Sequence, residues 1–175
     1  MRIKSSHIKG VYSGSYLPFK DNRGEFKRIF CKKTLSRSFP NNIKQSNISY
    51  NKKKYTMRGF HYQVGSSAEN KIITCLEGKV YDIVVDLRPT SKTYLQWEYF
   101  EINSKTNDFI ILPKGCANAF LTLEDHSLIL YLTDQYYNLK MERGIRYDSP
   151  YFNFSWPKKP VVISAKDKKL KRVEI

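Results

Sequence analysis

Lys79-Val80-Tyr81-Asp82-Ile83-Val84-Val85-Asp86-Leu87 decides the fold class. Side chains of an extended chain point alternately to opposite faces. Tyr81, Ile83, Val85 and Leu87 therefore share one face, and Val80, Asp82, Val84 and Asp86 share the other. The run from Ser127 to Thr133 repeats the device: Leu128, Leu130 and Leu132 form a greasy face against Ser127, Ile129, Tyr131 and Thr133. Lys71 to Leu76 reads as a third strand, ended by Glu77-Gly78, and Phe109 to Leu112 as a fourth, stopped by the turn Pro113-Lys114-Gly115. Helical periodicity is scarce, and short alternating runs between Gly, Pro, Asn and Asp are the pattern of an all-β sandwich or barrel. Lys166 to Ile175 is expected to close as a short helix or to fray.

The chain has 175 residues, and with no internal repeat or low-complexity linker, residues 1–175 read as one domain. It is 41% apolar and 14% aromatic, which suits a packed core and not a disordered chain. Thirty-one basic against 16 acidic residues leave a net charge of +15, which admits anionic partners. The basic residues are dispersed, with knots at Lys52-Lys53-Lys54, Lys158-Lys159 and Lys166 to Arg172, whereas a nucleic-acid reader concentrates them on one element. A solvated surface is the expectation, with neither nucleic acid nor membrane as partner. No apolar run reaches the roughly 18 residues of a membrane span, and the opening Met1-Arg2-Ile3-Lys4-Ser5-Ser6-His7 lacks the apolar stretch of a secretory signal. Cys31, Cys75 and Cys116 are odd in number and widely spaced, which suggests neither a disulfide framework nor a zinc site. A reduced, cytoplasmic protein is expected.

Polar groups concentrate in three places inside apolar strands. Arg58-Gly59-Phe60-His61-Tyr62-Gln63, read as a strand, sets Gly59, His61 and Gln63 on one face and Phe60 and Tyr62 on the other, the glycine leaving room beside the histidine. Lys71 heads an apolar strand, where a buried ammonium needs an anionic partner. Tyr131 lies on the less greasy face of its strand. Facing one cavity, the three would supply a base, a cation and an acid. Each also has a structural reading, since core histidines, strand tyrosines and strand-end lysines are common.

A metal site is weighed against the same residues. Arg58-Gly59-Phe60-His61 and Pro113-Lys114-Gly115-Cys116-Ala117-Asn118 sit where a metal-binding cupin carries its histidine motifs. The first offers one histidine and the second has Asn118 at the ligand position, short of the roughly three protein ligands that zinc or iron needs. No metal is expected.

Together these segments resemble the dTDP-4-dehydrorhamnose 3,5-epimerases. The resemblance runs from Phe19 to Asp167 through Phe19-Lys20-Asp21-Asn22-Arg23-Gly24, Gln45-Ser46-Asn47-Ile48-Ser49, Arg58 to Gln63, Asp82 to Arg88, Leu112-Pro113-Lys114-Gly115, Tyr131 to Tyr137, Trp156-Pro157 and Ser164-Ala165-Lys166-Asp167. It implies a jelly-roll, cupin-like β-barrel with a few short helices. It further implies an isomerase that inverts C3, with C5 left open, of a nucleoside-diphosphate 4-keto-6-deoxy sugar for surface polysaccharide, without a cofactor. By likeness His61 is the base, Asp167 the carboxylate that fixes its tautomer, Tyr131 the acid on the opposite face, and Lys71 the cation beside the keto oxygen. Arg23, Gln45, Asn47, Arg58, Asn118 and Tyr137 align with substrate contacts, and the resemblance implies a homodimer across which Arg23 reaches.

Several positions depart from the family's pattern. Asn118-Ala119 replace His-Gly, Arg28 stands for a glutamate, and Leu95 stands for a glycine. These changes point to a relative with another nucleotide sugar, GDP- or CDP-linked. Two further readings share the barrel: a 3,4-ketoisomerase, which moves the carbonyl, and a non-catalytic sugar-binding cupin. The presence of Lys71, Tyr131 and Asp167 favours epimerisation.

Overall fold

The computed structural model describes residues 1–173. In chain order the strands are β1 (Arg2–Ser5), β2 (Tyr12–Ser15), β3 (Phe19–Asp21), β4 (Gly24–Phe26), β5 (Gln45–Asn51), β6 (Thr56–Gln63) and β7 (Lys71–Glu77). They continue as β8 (Lys79–Asp86), β9 (Trp97–Asn103), β10 (Asp108–Leu112), β11 (Cys116–Thr122), β12 (Ser127–Thr133), β13 (Glu142–Gly144) and β14 (Val162–Ile163). The helices are the single turns α1 (Lys32–Leu35) and α2 (Ala165–Lys168). One sheet runs β1-β2-β10-β7-β12-β5; the other runs β13-β6-β11-β8-β9, with β14 beside β6. Every pairing is antiparallel except that of β14 with β6. The two sheets pack face to face as the jelly-roll barrel the resemblance implies. The segment expected to close as a helix or fray does so at Ala165–Lys168, while Glu174 and Ile175 lie outside the described residues.

The central strands of both sheets are covered on both faces, which explains the near-continuous apolar runs of β8 and β12. Between the sheets pack Ile73, Cys75, Ile110 and Ile129 from one side against Val80, Val84, Ile102 and Phe120 from the other. Tyr81, Ile83 and Val85 turn outwards, where the segment carrying Phe152, Phe154 and Trp156 covers them. On the first sheet Leu130 and Leu132 also turn outwards, beneath Leu35 and Phe39. The greasier face of β12 is therefore the outer one. Ile129 and Tyr131 point into the barrel, so the polar half of the alternation builds its interior.

The alternation expected for Arg58 to Gln63 needs correction. The β6–β11 register pairs Asn118 with His61 but Ala119 with Gly59, a bulge that inserts Phe60 as an extra residue. Extra residues of this kind re-aim side chains beside functional sites. Arg58 thereby joins His61 on the inner side, while Phe60 goes to the outer cluster. The space at Gly59 does not serve a ligand. Its φ is +113°, and a Cβ there would lie 2.5 Å from the Asn118 carbonyl oxygen and 2.7 Å from Ala119, so the glycine admits the neighbouring strand.

Candidate active site

A cavity of about 420 Å³ opens at one end of the barrel, between β5, β7 and β12 on one wall and β6, β11, β13 and α2 on the other. Of the site residues expected from the sequence, His61, Lys71, Tyr131, Asp167, Gln45, Asn47, Arg58, Asn118 and Tyr137 all line it. His61 and Tyr131 come from opposite sheets. Arg23 does not reach the cavity. It stands on the β3–β4 hairpin, bonded to Asp21 at 2.6 Å with its side chain 84% exposed, between Phe19 and Phe26, themselves 69% and 66% exposed. Arg28 and Leu95 also lie outside the cavity lining.

The His61 Nε2 lies 2.8 Å from Asp167 Oδ1. Asp167 is placed by local chemistry: its own amide donates to the Ser164 hydroxyl at 3.0 Å, an N-cap that starts α2, and its Oδ2 accepts from the Gly59 amide at 3.3 Å. Burial pushes the Asp167 carboxyl up, but its bonds with His61, Gly59 and Ser164 prevail and hold it below the usual carboxylate range. An imidazole held in orientation by a buried carboxylate is the result, with Nδ1 the ring nitrogen not engaged by Asp167.

Lys71 is 9% exposed. Its ammonium donates to the His61 carbonyl at 3.2 Å and lies 3.1 Å from Glu69 Oε1. Tyr131 packs against the cluster between the sheets and lines the cavity. Burial pushes its phenol well up, the Asp82 charge adds to this, and Arg58 and Ser49 only partly oppose it, so the hydroxyl stays protonated across the neutral range. Beneath the floor, Asn118 donates to Asp82 Oδ2 at 3.0 Å, while Asp82 Oδ1 is buried without a hydrogen-bond partner. Burial raises the Asp82 carboxyl well above the normal range, more than Asn118 and Lys71 lower it.

Nearer the rim, Arg58 Nε donates to Asn51 Oδ1 at 2.7 Å. The Tyr137 amide donates to Gln45 Oε1, its hydroxyl donates to Glu142 at 2.7 Å, and Lys166 reaches the same carboxylate oxygen at 2.6 Å. Glu69, Glu142 and Lys166 are cavity residues that the sequence reading did not single out. For Glu69 a signal existed, since a carboxylate two residues before a strand-heading lysine can share its face. Glu142 and Lys166 meet only through tertiary contact, across 24 positions of sequence. Among the described residues, no group of three or more His, Cys, Asp or Glu is gathered to hold a metal, and no helix is long and apolar enough to cross a membrane.

Comparison with known proteins gives this geometry a family. The family model for dTDP-4-dehydrorhamnose 3,5-epimerase matches residues 5–174. The Escherichia coli (strain K12) enzyme of that name is 31% identical over 173 residues, 97% of this chain and 93% of that one. The structure of the Bacillus anthracis enzyme, with TDP and PPi bound, aligns with a TM-score of 0.93 at 29% identity, covering 98% of this chain and 99% of that one. That of a dTDP-6-deoxy-D-glucose-3,5-epimerase from Legionella pneumophila, in complex with dTDP-4-keto-L-rhamnose, aligns with a TM-score of 0.90 at 28% identity, covering 95% and 89%. The chain thus belongs to the dTDP-4-dehydrorhamnose 3,5-epimerase family, isomerases of nucleotide-linked 4-keto sugars.

Proposed function

We propose that residues 1–175 form one catalytic domain that inverts C3, and C5 where the sugar allows, of a nucleoside-diphosphate 4-keto-6-deoxy sugar. His61 takes the proton from the carbon beside the ketone, and the electron pair moves through the new C=C bond onto the keto oxygen. The Lys71 ammonium, nearly buried and fixed in the cavity wall, stabilises that oxyanion without the reorganisation water would need. Tyr131 returns a proton to the opposite face, and exchange with solvent resets the imidazolium and phenolate. The observation that carries this reading is the placement of His61 and Tyr131 on facing sheets around one cavity with Lys71 in its wall. Because the returning proton is exchangeable, turnover in heavy water labels the inverted carbon. His61→Asn is expected to slow this wash-in at least about a thousandfold with the fold intact, in the range of a lost general base. Exchange at the wild-type rate in that variant overturns the assignment.

Gln45, Asn47, Arg58 and Tyr137 line the approach to the cavity and suit a nucleotide and its diphosphate, and Asn118, paired with His61 in the β6–β11 register, suits the sugar. Asn118 thus bears on the sugar, not on the base, and the ligands bound in the Bacillus and Legionella structures favour dTDP over GDP or CDP. The exposed rings of Phe19 and Phe26 around Arg23 support a homodimer in which each hairpin reaches the cavity of the other copy. Free Cys31, Cys75 and Cys116 agree with a reducing cytoplasm, where the product would feed surface polysaccharide synthesis. Calorimetric titration is expected to rank dTDP above GDP and CDP, and Arg23→Ala to weaken dTDP roughly tenfold, as for one lost charged contact. A preference for GDP or CDP, or an unchanged affinity in Arg23→Ala, refutes the corresponding part.

A further inference from the structure

The ammonium of Lys71 is not held by its strand alone. Glu69 Oε1 lies 3.1 Å away, and both side chains of the pair are 11% exposed. An ammonium has three N–H directions. Glu69 and the His61 carbonyl account for two, which leaves the third for the cavity. The carboxylate is itself directed, because Gln63 Nε2 donates to Glu69 Oε2 at 2.7 Å. The orientation of that amide follows from its neighbours: the Asn138 N–H donates to Gln63 Oε1 at 2.6 Å, so the NH₂ must face Glu69. Gln63 Nε2 also reaches the carbonyls of Ser67 and Tyr136. The backbone between Glu69 and Lys71 is fixed by Asp134, whose carboxylate accepts the Asn70 amide at 2.7 Å and the Asn70 side chain at 2.5 Å.

We propose that Glu69 is the positioning residue for Lys71: anchored through Gln63 to the segment that carries Tyr137, it holds the ammonium aimed at the keto oxygen. The inference rests on the oxyanion role given to Lys71 above. Glu69 lines the cavity but acts through Lys71. Its charge offsets the cost of keeping a nearly buried ammonium, and its two oxygens are committed in different directions, one to Lys71 and one to Gln63. Glutamine at this position has a single acceptor for two donors. Either Gln63 or Lys71 then loses its bond to position 69, and the third N–H of the ammonium no longer has a fixed direction.

The test is a double-mutant cycle read by deuterium wash-in. Glu69→Gln is expected to lower kcat roughly tenfold, with KM within about twofold and dTDP affinity unchanged, the size of one charge-assisted hydrogen bond lost at the reacting oxygen. In a Lys71→Met background the same change is expected to alter the residual rate less than about twofold, since nothing remains to be aimed. Glu69→Asp, which keeps the charge, should recover at least about threefold over Glu69→Gln, and it carries the same cycle should the glutamine variant not fold. An equal loss in both backgrounds means a merely structural role and overturns the inference, as does full activity of Glu69→Gln. A wild-type protein that labels no 4-keto sugar would instead overturn the function itself, so the two failures are distinct.

Discussion

Asp82 and Asp86 lie on the same face of β8, four positions apart, and neither exposes any surface. Their surroundings are opposite. Asp86 accepts from Arg88 Nε at 2.7 Å, Arg88 Nη2 at 2.8 Å, Thr93 Oγ1 at 2.6 Å and the Arg88 amide at 3.0 Å. Burial pushes its carboxyl up, but these donors prevail and hold it far below the usual range. Asp82 has Asn118 alone, and desolvation drives it the other way. Burial therefore does not set the charge of a carboxylate; the number of donors built around it does. One end of β8 is a lock that ties the loop from Arg88 to Leu95 onto the barrel. The middle of the strand, under the cavity, keeps an unsatisfied oxygen near Lys71 and Tyr131.

Removing the lock gives the largest effect. Asp86→Asn leaves Arg88 without its counter-charge and is expected to cost about 3 kcal/mol in chemical unfolding, the low end for a broken buried pair because a quarter of the Arg88 side chain meets water. The acid limb sharpens the test. A carboxyl with a depressed folded pKa contributes stability that is complete above its unfolded value near 3.9 and lost as pH falls towards the folded one. The variant should accordingly lose less stability than the wild type between about pH 5 and pH 2. Equal acid limbs would mean that the charge of Asp86 is not what holds the lock.

Asp82→Asn is expected to do the reverse, and less. A carboxyl whose folded pKa is raised costs stability as pH rises from its unfolded value through the folded one. The melting temperature of the variant relative to the wild type should therefore climb from pH 5 to pH 8, with a gain of about 1 kcal/mol at neutral pH, the low end for replacing a buried ionisable group by a neutral one of its shape. A constant difference across that interval would show that Asp82 carries the same charge folded and unfolded.

The two aspartates of β8 were unequally legible. Alternation made it legible that both share one face and that Tyr131 opposes the leucines of β12, because period-two patterning is local, though not which face of β12 turns inwards. Which aspartate has donors was not, since Arg88 and Thr93 come from a loop and Asn118 comes from β11. In the same way His61, Lys71, Tyr131 and Asp167 were found through short motifs that resemble a family, whereas Glu69 acts through two contacts that no motif spans. The reach of Arg58 into the cavity depends on a one-residue bulge, which shifts facing without leaving a mark in hydrophobicity. Arg23 was legible as a residue through its motif, and within one chain it stands on an exposed hairpin away from the cavity.

The smallest test also belongs to the lock. Leu95 stands where the resemblance leads one to expect glycine, and its φ of +63° is the left-handed region that a branched side chain adopts at a cost of roughly 1 kcal/mol. The turn is retained because its ends are tied to Asp86: the Leu95 amide donates to the Asp86 carbonyl at 2.8 Å, and the Asp86 amide donates to the Gln96 carbonyl at 3.0 Å. The leucine recovers part of that cost by packing on the outer cluster around Trp97 and Phe152. Replacing it by glycine relieves the strain but removes those contacts and loosens the unfolded chain, so Leu95→Gly should lower stability by less than about 1 kcal/mol. Leu95→Ala loses the contacts and keeps the strain. Alanine is thus expected to be the less stable of the two, by about half a kcal/mol, the reverse of its order in ordinary strands. If alanine equals or exceeds glycine in urea unfolding, the turn relaxes out of the left-handed region once the leucine is gone, and it is the packing of Leu95 that holds the Asp86 lock in shape.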